Sequence, residues 1–464
     1  IRTPHPGWAE QDAGAWRSAA LSALRALVGE LGWGSRVRSI GLTGQCPSVV
    51  LVDAKGRPVS AGLMYRDNRA AAEAAELRAR FGAEALHRRT GHLAAGFHIA
   101  PKLLWLRRHQ PAVFDHAAWL LQPRDVVALA LTGTAATDGS HAAATLLFDL
   151  RAGDWDAGLV EALGLDPAIL PPVLPSAAIL GDVRASIARR LGLPDGVPVV
   201  IGGADSQACA LGAGVVEPGP VSEMAGSSTC LNAVVAEPLP VVEITHYPHV
   251  VPGWFTTETG LNTTGAAVAW LADLVYGGRR RRARGDDYAT LDREAREVPP
   301  GADGVLVLAV LADGERTDPD LRAAFTGLSL RHDRRVLARA VLEGAALAMR
   351  AQLELLARAG APPTELRVSG GDSRLAAWNR IKADVTGLVV RTVPGDAASA
   401  GVAMLAGLGA GLYRDVADAL RSCVRPDPPI APDPGAADRY DEVYARYLEL
   451  ASSPVVRRPT DSES

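Results

Sequence analysis

The sequence predicts an α/β protein of two domains. Three observations carry that prediction: short β-rich runs alternate with Ala/Leu/Arg-rich helical stretches, the chain is 464 residues long, and the alternation restarts at Pro218-Gly219-Pro220. Strands interleaved with helices call for layered packing. A chain of this length exceeds one ordinary core. The expected domains are residues 1–216 and 221–452, followed by a flexible tail at 453–464.

Residues 16–31 show helical apolar spacing through Leu21, Leu24, Leu27, Val28 and Leu31. Strand-like runs follow at 37–43 and 48–53, the second closed by the turn Lys55-Gly56-Arg57-Pro58. Helices are expected at 70–81 and 102–108, then a strand at 197–202 running into a helix at 206–211. In the second half, strands are expected at 221–224, 231–235, 305–311, 366–369 and 389–393. The helices between and after them fall at 266–274, 335–358, 378–386 and 397–409. The run 277–287 (GGRRRRARGDD) reads as a solvated, mobile loop rather than a phosphate clamp. The stretch after Ser452, with Pro454 and Pro459, reads as a frayed end.

Composition narrows the class. Apolar residues make up 48% and charged residues 22%, as in ordinary soluble globular proteins. A net charge of -4 gives no electrostatic reason to expect nucleic acid as a partner. Cys46, Cys209, Cys230 and Cys423 lack metal-ligand spacing, so reduced thiols are expected rather than a zinc site or a disulfide framework. The apolar run 305–312 is too short to cross a bilayer, and no signal-peptide pattern opens the sequence. The expectation is a soluble cytoplasmic enzyme with no membrane partner.

Three Gly-rich strand ends are the places where chemistry could sit. In Pro198–Gly214 an apolar strand runs into Gly202-Gly203, then the acid Asp205, then a helix of small residues. This puts Asp205 at the carboxyl end of a strand, where open α/β sheets bind ligands. There it could accept the proton of an attacking hydroxyl during phosphoryl transfer; the competing reading is a helix N-cap. The second site is Glu223-Met224-Ala225-Gly226-Ser227-Ser228-Thr229, whose main-chain N–H groups and hydroxyls could hold phosphate oxygens, or which is simply a polar β-turn. The third is Val368-Ser369-Gly370-Gly371-Asp372-Ser373, where glycines would let a flat ring approach the main chain, although Gly-Gly is also a common loop device. No Walker A, Gly-x-Gly-x-x-Gly or His-Glu-x-x-His motif competes with these.

The chain resembles the FGGY carbohydrate kinases, most closely their xylulokinase-like branch. Gly7-Trp8-Ala9-Glu10-Gln11-Asp12 is similar to that family's GWxEQD, Gly41-Leu42-Thr43-Gly44-Gln45 to its G-x-S-G-Q, and Tyr65-Arg66-Asp67-Asn68-Arg69 to its W-x-D-x-R. Further matches are Lys102-Leu103-Leu104-Trp105-Leu106, Gly314-Glu315-Arg316-Thr317, Phe325-Thr326-Gly327-Leu328, Glu343-Gly344 and Trp378-Asn379-Arg380-Ile381-Lys382-Ala383-Asp384, all in the family's order.

The resemblance implies two actin-like domains of the ribonuclease-H type with an interdomain cleft, and cofactors ATP and Mg²⁺. It implies Asp205 as catalytic base and as the carboxylate nearest the metal. Gln45, Cys46, Pro47, Tyr65, Asp67, Asp205 and Ser206 are implied to contact a small sugar or polyol. Gly226, Ser227, Ser228, Thr263, Thr264, Gly265, Gly370, Gly371 and Asn379 are implied to contact ATP. The domains are expected to close over the bound substrates and expel water. A homodimer is expected by analogy.

Departures from the family pattern shape the expectation. Cys46-Pro47-Ser48 stands where xylulokinases carry Met-His-Gly, so a histidine expected to bond a sugar hydroxyl is absent. A change of that kind alters affinity by roughly 1–3 kcal/mol, enough to change the preferred sugar. Another ketopentose, a tetritol or a pentitol therefore fits as well as xylulose. Asp372 stands where a third glycine or small residue is common. The family's leading hairpin, with its Asp-x-Gly-Thr phosphate motif, does not occur in this sequence, which reads as beginning downstream of it. The alternative class is a non-catalytic nucleotide- or sugar-binding protein on the same scaffold.

Overall fold

The computed structural model describes residues 1–458 except 33, 277–282, 313 and 317. The four consecutive arginines of the Gly-flanked run, Thr317 and residues 459–464 thus lie outside the described residues. Part of the predicted 277–287 loop is helical: Gly285–Arg296 is a helix, with Asp286 and Asp287 in its first turn. Acidic side chains there complement the helix dipole.

The chain forms two compact units. The first comprises Ile1–Val216, Val235–Thr257 and Ala398–Val424; the second comprises Glu217–Val234, Glu258–Ala397 and the chain from Arg425 onward. The switch at residue 217 falls where the alternation restarts, but the chain then passes repeatedly between units, which a linear division does not express. Residues 398–409 join the first unit because Gly401 packs on the helix Asp205–Gly212. A side chain at Gly401 would stand 1.8 Å from the Ala208 carbonyl oxygen.

At the centre of the first unit, Pro198–Ala204 pairs parallel with Ile40–Gly44 and antiparallel with Ile179–Asp182. Alternate side chains of a strand face opposite sides of its sheet. Accordingly Val197 and Val199 join a core with Val28, Leu131 and Leu191, whereas Val200 joins one with Leu211, Met404 and Leu405. The parallel register shifts between Val200 and Gly203. The cause is Gly202, whose φ is +72° and whose bare Cα lies against Leu42; a Cβ would be 1.7 Å from the Leu42 carbonyl oxygen.

Two of the first unit's helices show how the predictions compare. Ala13–Leu31 starts earlier than its apolar spacing indicated, because the Asp12 side chain accepts from the Gly14 N–H and caps it. Ile99–His109 is longer than the predicted 102–108.

In the second unit, Thr229–Val235, Pro220–Ala225, Glu365–Gly370 and Val389–Thr392 are neighbours in one sheet, the last three mutually parallel. The long helix Arg334–Ala359 is capped by Asp333 and ended by Gly360 in the left-handed conformation. It packs with Ala376–Thr386 and Pro434–Ser452 around Trp378 and Tyr440. The predicted strand 305–311 pairs only over Leu306–Leu308. Beyond Ser452, where the sequence suggested fraying, residues 453–458 are docked. Pro454–Val456 forms a helical turn, Arg322 N–H donates to the Val456 carbonyl at 2.8 Å, and Arg457 pairs with Asp318.

Candidate active site

Strand pairing places Asp205. Gly203 lies opposite Thr43 and Ala204 opposite Gly44, so Asp205 and Gln45 leave adjacent parallel strands at the same end. The Thr43 hydroxyl donates to the Gly203 carbonyl at 2.8 Å, tying the two strand ends together. Asp205 is half-buried and is the first residue of its helix. The N-cap position belongs to Ala204, so the competing reading of Asp205 as the cap is not realised. Its Oδ1 accepts from the Ser206 N–H at 2.9 Å. Ser206 itself is buried.

The Gln45–Ser48 loop and the Met64–Asp67 segment are drawn together by one ammonium group. Lys102 is fully buried, and its Nζ donates to the carbonyls of Met64 (2.7 Å) and Pro47 (3.2 Å). Burial brings the Lys102 ammonium down to about 7, against the opposing attraction of Asp67. Buried Ser48 accepts the Tyr65 N–H at 2.9 Å, while Tyr65 as a residue is 43% exposed. Gln45 is half-buried, with its amide nitrogen 3.8 Å from the Met64 sulfur. Cys46 is half-buried as well, and Pro47 is buried.

Asp67 differs from the expectation of a sugar contact. It is fully buried, and both oxygens are committed: Oδ2 to the Ala9 N–H (2.6 Å) and Arg69 Nη2 (2.7 Å), Oδ1 to Arg69 Nε (2.8 Å). Arg69 also pairs with Glu10 and lies over the Trp8 ring. The carboxylate thus joins the Trp8–Gln11 segment to the Tyr65–Arg69 segment and has no oxygen left for a ligand.

In the second unit the three turns marked in the sequence come together. Ala225 pairs with Gly370 at the ends of parallel strands. Gly370, at φ +93°, lies so close that a Cβ would be 2.1 Å from the Ala225 carbonyl oxygen. The Ser227 carbonyl accepts from the N–H groups of Thr264 (3.3 Å) and Ala266 (3.0 Å), stacking turn 226–228 on turn 263–265. A Cβ at Gly265 would meet both the Gly226 carbonyl oxygen, at 2.3 Å, and the Asp372 carboxylate, at 3.0 Å.

Gly226, Ser227, Ser228 and Gly371 are exposed, and a Cβ on Gly371 would meet nothing within 4 Å. Open main chain of this kind is what a phosphate or a flat ring needs. The threonine hydroxyls face inward instead. Thr264 bonds Thr229 at 2.7 Å, and Thr263 accepts the Leu311 N–H at 3.2 Å. Buried Asn379 donates to the Ser373 carbonyl at 2.8 Å and so shapes the 370–373 turn from behind.

Beneath these turns lie an ion pair that the sequence did not show and a buried setting for Asp372 that it did not reveal. Glu223 and Lys382, both fully buried, form an ion pair of 2.7 Å. Asp372 beside Gly265 keeps a buried Oδ2 without a hydrogen-bond partner among the described residues. Burial pushes its carboxyl from 3.8 up to about 6, with Lys382 opposing the rise and Glu223 reinforcing it. The folded chain therefore holds this proton at pH values where the unfolded chain has released it. Stability from this group falls as pH rises through about 4 to 6. Asp372→Asn, neutral throughout, removes that slope. Its melting temperature is expected to gain roughly 2–4 °C on the parent between about pH 5 and pH 7 in thermal unfolding.

In the first unit the reading also missed Arg124, Asp138 and Ser140, which hold the strand that delivers Asp205. Their only local trace is an acid two residues before a serine at a helix start. A surface groove of about 640 Å³, lined by Arg17, Leu21, Lys55, Leu129, Arg184 and Arg190 among others, contains none of the site residues.

The model of the FGGY carbohydrate kinase N-terminal domain matches residues 1–212, and that of the C-terminal domain matches 222–410. The xylulose kinase of Lactococcus lactis subsp. lactis (strain IL1403) is 29% identical over 462 residues, covering 97% of this chain and 90% of that one. The autoinducer-2 kinase of Enterobacter sp. (strain 638) is 33% identical over 441 residues, covering 90% and 82%. The crystal structure of xylulose kinase from Rhodospirillum rubrum superposes with a TM-score of 0.87 at 35% identity, covering 97% of this chain and 91% of that one. Both halves of the sequence and the two-domain α/β fold thus lead to one conclusion: the chain belongs to the FGGY family of carbohydrate kinases, enzymes that transfer a phosphoryl group to a sugar.

Proposed function

We propose that this chain phosphorylates a small sugar or polyol, a ketopentose such as xylulose or a polyol of similar size, with ATP as donor and Asp205 as general base. The observation that carries the reading is the position of Asp205, a half-buried carboxylate just past the carboxyl end of a central parallel strand, whose last residue pairs with the residue before Gln45. As the substrate hydroxyl attacks phosphorus, its O–H proton passes to a carboxylate oxygen of Asp205. ATP supplies the phosphoryl group and departs as ADP. The open main chain at 226–228 and at Gly371 fits phosphate oxygens and a flat base, since these residues are exposed and nothing stands within 4 Å of a Cβ at Gly371.

Among the described residues no group of three or more His, Cys, Asp or Glu could cage a metal ion. That suits Mg²⁺, which keeps most of its ligands on phosphate and water and takes one or two carboxylates. Asp205 is the carboxylate we assign to it.

The sugar loop argues for a sparing set of hydroxyl contacts. Pro47 has no N–H, its carbonyl is held by Lys102, and the Ser48 hydroxyl is held by Tyr65. The Gln45 amide, the Tyr65 hydroxyl and Asp205 are the groups we assign to choosing the substrate. ATP consumption should be followed across ketopentoses, tetritols, pentitols and autoinducer-2, the last included because one relative is named for it. One compound is expected to exceed the others by at least about tenfold in kcat/KM. No consumption above the sugar-free rate with any of them would overturn the reading.

A further inference from the structure

Side chains reinforce the strand before Asp205 where its ladder is interrupted. The register between Pro198–Ala204 and Ile40–Gly44 slips at Val200/Gly203, where Gly202 adopts positive φ. Across that slip a buried polar relay takes over. The Arg124 guanidinium donates to the carbonyls of Ile201 (2.5 Å) and Gly202 (3.2 Å). The Ser140 hydroxyl accepts the Ala204 N–H at 2.9 Å, having given its one proton to Asp138 Oδ2 at 2.6 Å.

Asp138 is the hub. It caps the short helix Gly139–Ala143, and Oδ2 also accepts the Ser140 N–H (3.0 Å) and the Ser176 hydroxyl (3.1 Å). Oδ1 meets Arg124 Nη2 (3.0 Å) and His141 Nδ1 (2.8 Å). Arg124, Asp138, Ser140 and His141 are all buried. Burial alone would raise the Asp138 carboxyl, but the charge of Arg124 and the bonds from His141 and Ser140 hold it below the usual carboxylate range. The carboxylate therefore stays an acceptor, and the serine proton points to it, leaving the serine lone pair for Ala204.

We propose that Ser140, oriented by Asp138, is a positioning residue for Asp205: by fixing the Ala204 peptide it sets where the first residue of the helix directs its carboxylate. The proposal rests on the base role of Asp205. A lost bond at Ala204 leaves the Gly203–Ala204 peptide held only from its carbonyl side, by the Thr43 hydroxyl, and a misplacement of about 1 Å in a catalytic group can cost on the order of a hundredfold.

The test is a double-mutant cycle in the intact chain. Ser140→Ala is expected to lower kcat by roughly 10- to 100-fold while the sugar KM stays within about threefold. Ser140→Thr, which keeps the hydroxyl, is expected to restore most of kcat. In an Asp205→Asn background, adding Ser140→Ala is expected to change the residual rate by less than about twofold, because there is no longer a base to misplace.

Three results would overturn the proposal. They are a normal kcat for Ser140→Ala, a Ser140→Ala defect that multiplies in full onto Asp205→Asn, and a fall in kcat for both serine variants that tracks thermal stability alone. An Asp205→Asn variant with normal kcat would instead remove the base assignment itself. Should Ser140→Ala fail to fold, Ser140→Cys, whose sulfur accepts only weakly from the Ala204 N–H, takes its place in the cycle with the same expected and overturning results.

Discussion

Asp205→Asn is expected to reduce kcat by at least about a hundredfold, the usual scale for loss of a general base. The substitution is nearly isosteric, and its carbonyl oxygen can still accept the Ser206 N–H that Oδ1 accepts now. The strand pairing of Ala204 with Gly44 and the Thr43–Gly203 bond do not involve the side chain, so the backbone should be retained. What is lost is the capacity to take up the hydroxyl proton. Sugar KM should move far less than kcat, because the interaction removed is made chiefly in the transition state. Asp205→Ala should show the same loss. Single-turnover phosphorylation measures the step directly, and a near-normal rate in either variant would dismiss the assignment.

Lys382→Ala is expected to cost about 3–5 kcal/mol of stability, the range for stripping one partner from a buried ion pair. Lys382 and Glu223 are fully buried 2.7 Å apart, and Glu223 Oε2 has no hydrogen-bond partner among the described residues. Without the ammonium, a carboxylate would sit uncompensated on the strand Pro220–Ala225, just before the exposed 226–228 turn. For a unit of this size the loss corresponds to a fall in melting temperature of roughly 6–20 °C, and the affinity for ATP should weaken with it. The double replacement Lys382→Met with Glu223→Leu should recover most of the stability, since an apolar pair of similar volume is often neutral or better. A single variant that melts within about 2 °C of the parent would show that the pair carries no such weight.

Much of the scaffold was legible from local pattern. The helix 334–359 shows its apolar period, its capping Asp333 and its terminal Gly360, and the strand into Gly202-Gly203 announces a sharp turn before an acid. These signals are contained within a few residues, so chain order suffices to read them. Asp67 shows where that stops. Its motif suggested a sugar contact, yet its carboxylate meets the main chain of a residue 58 positions away and the arginine two positions on. Glu223 and Lys382, 159 positions apart, carry no mark of each other in the sequence.

The sequence by itself determined the α/β class, the carbohydrate-kinase family and the Gly-rich strand ends to which we assign the chemistry. Each of these is a property of periodicity, glycine placement and motif order along the chain. Only the tertiary structure decided which acids are bound into the frame. It turned Asp67 inward, set Asp138 and Ser140 behind Asp205, and laid Asp372 against Gly265. The physical reason is that a carboxylate's role depends on the donors that reach it, and those donors arrive through long-range packing that residue spacing does not record.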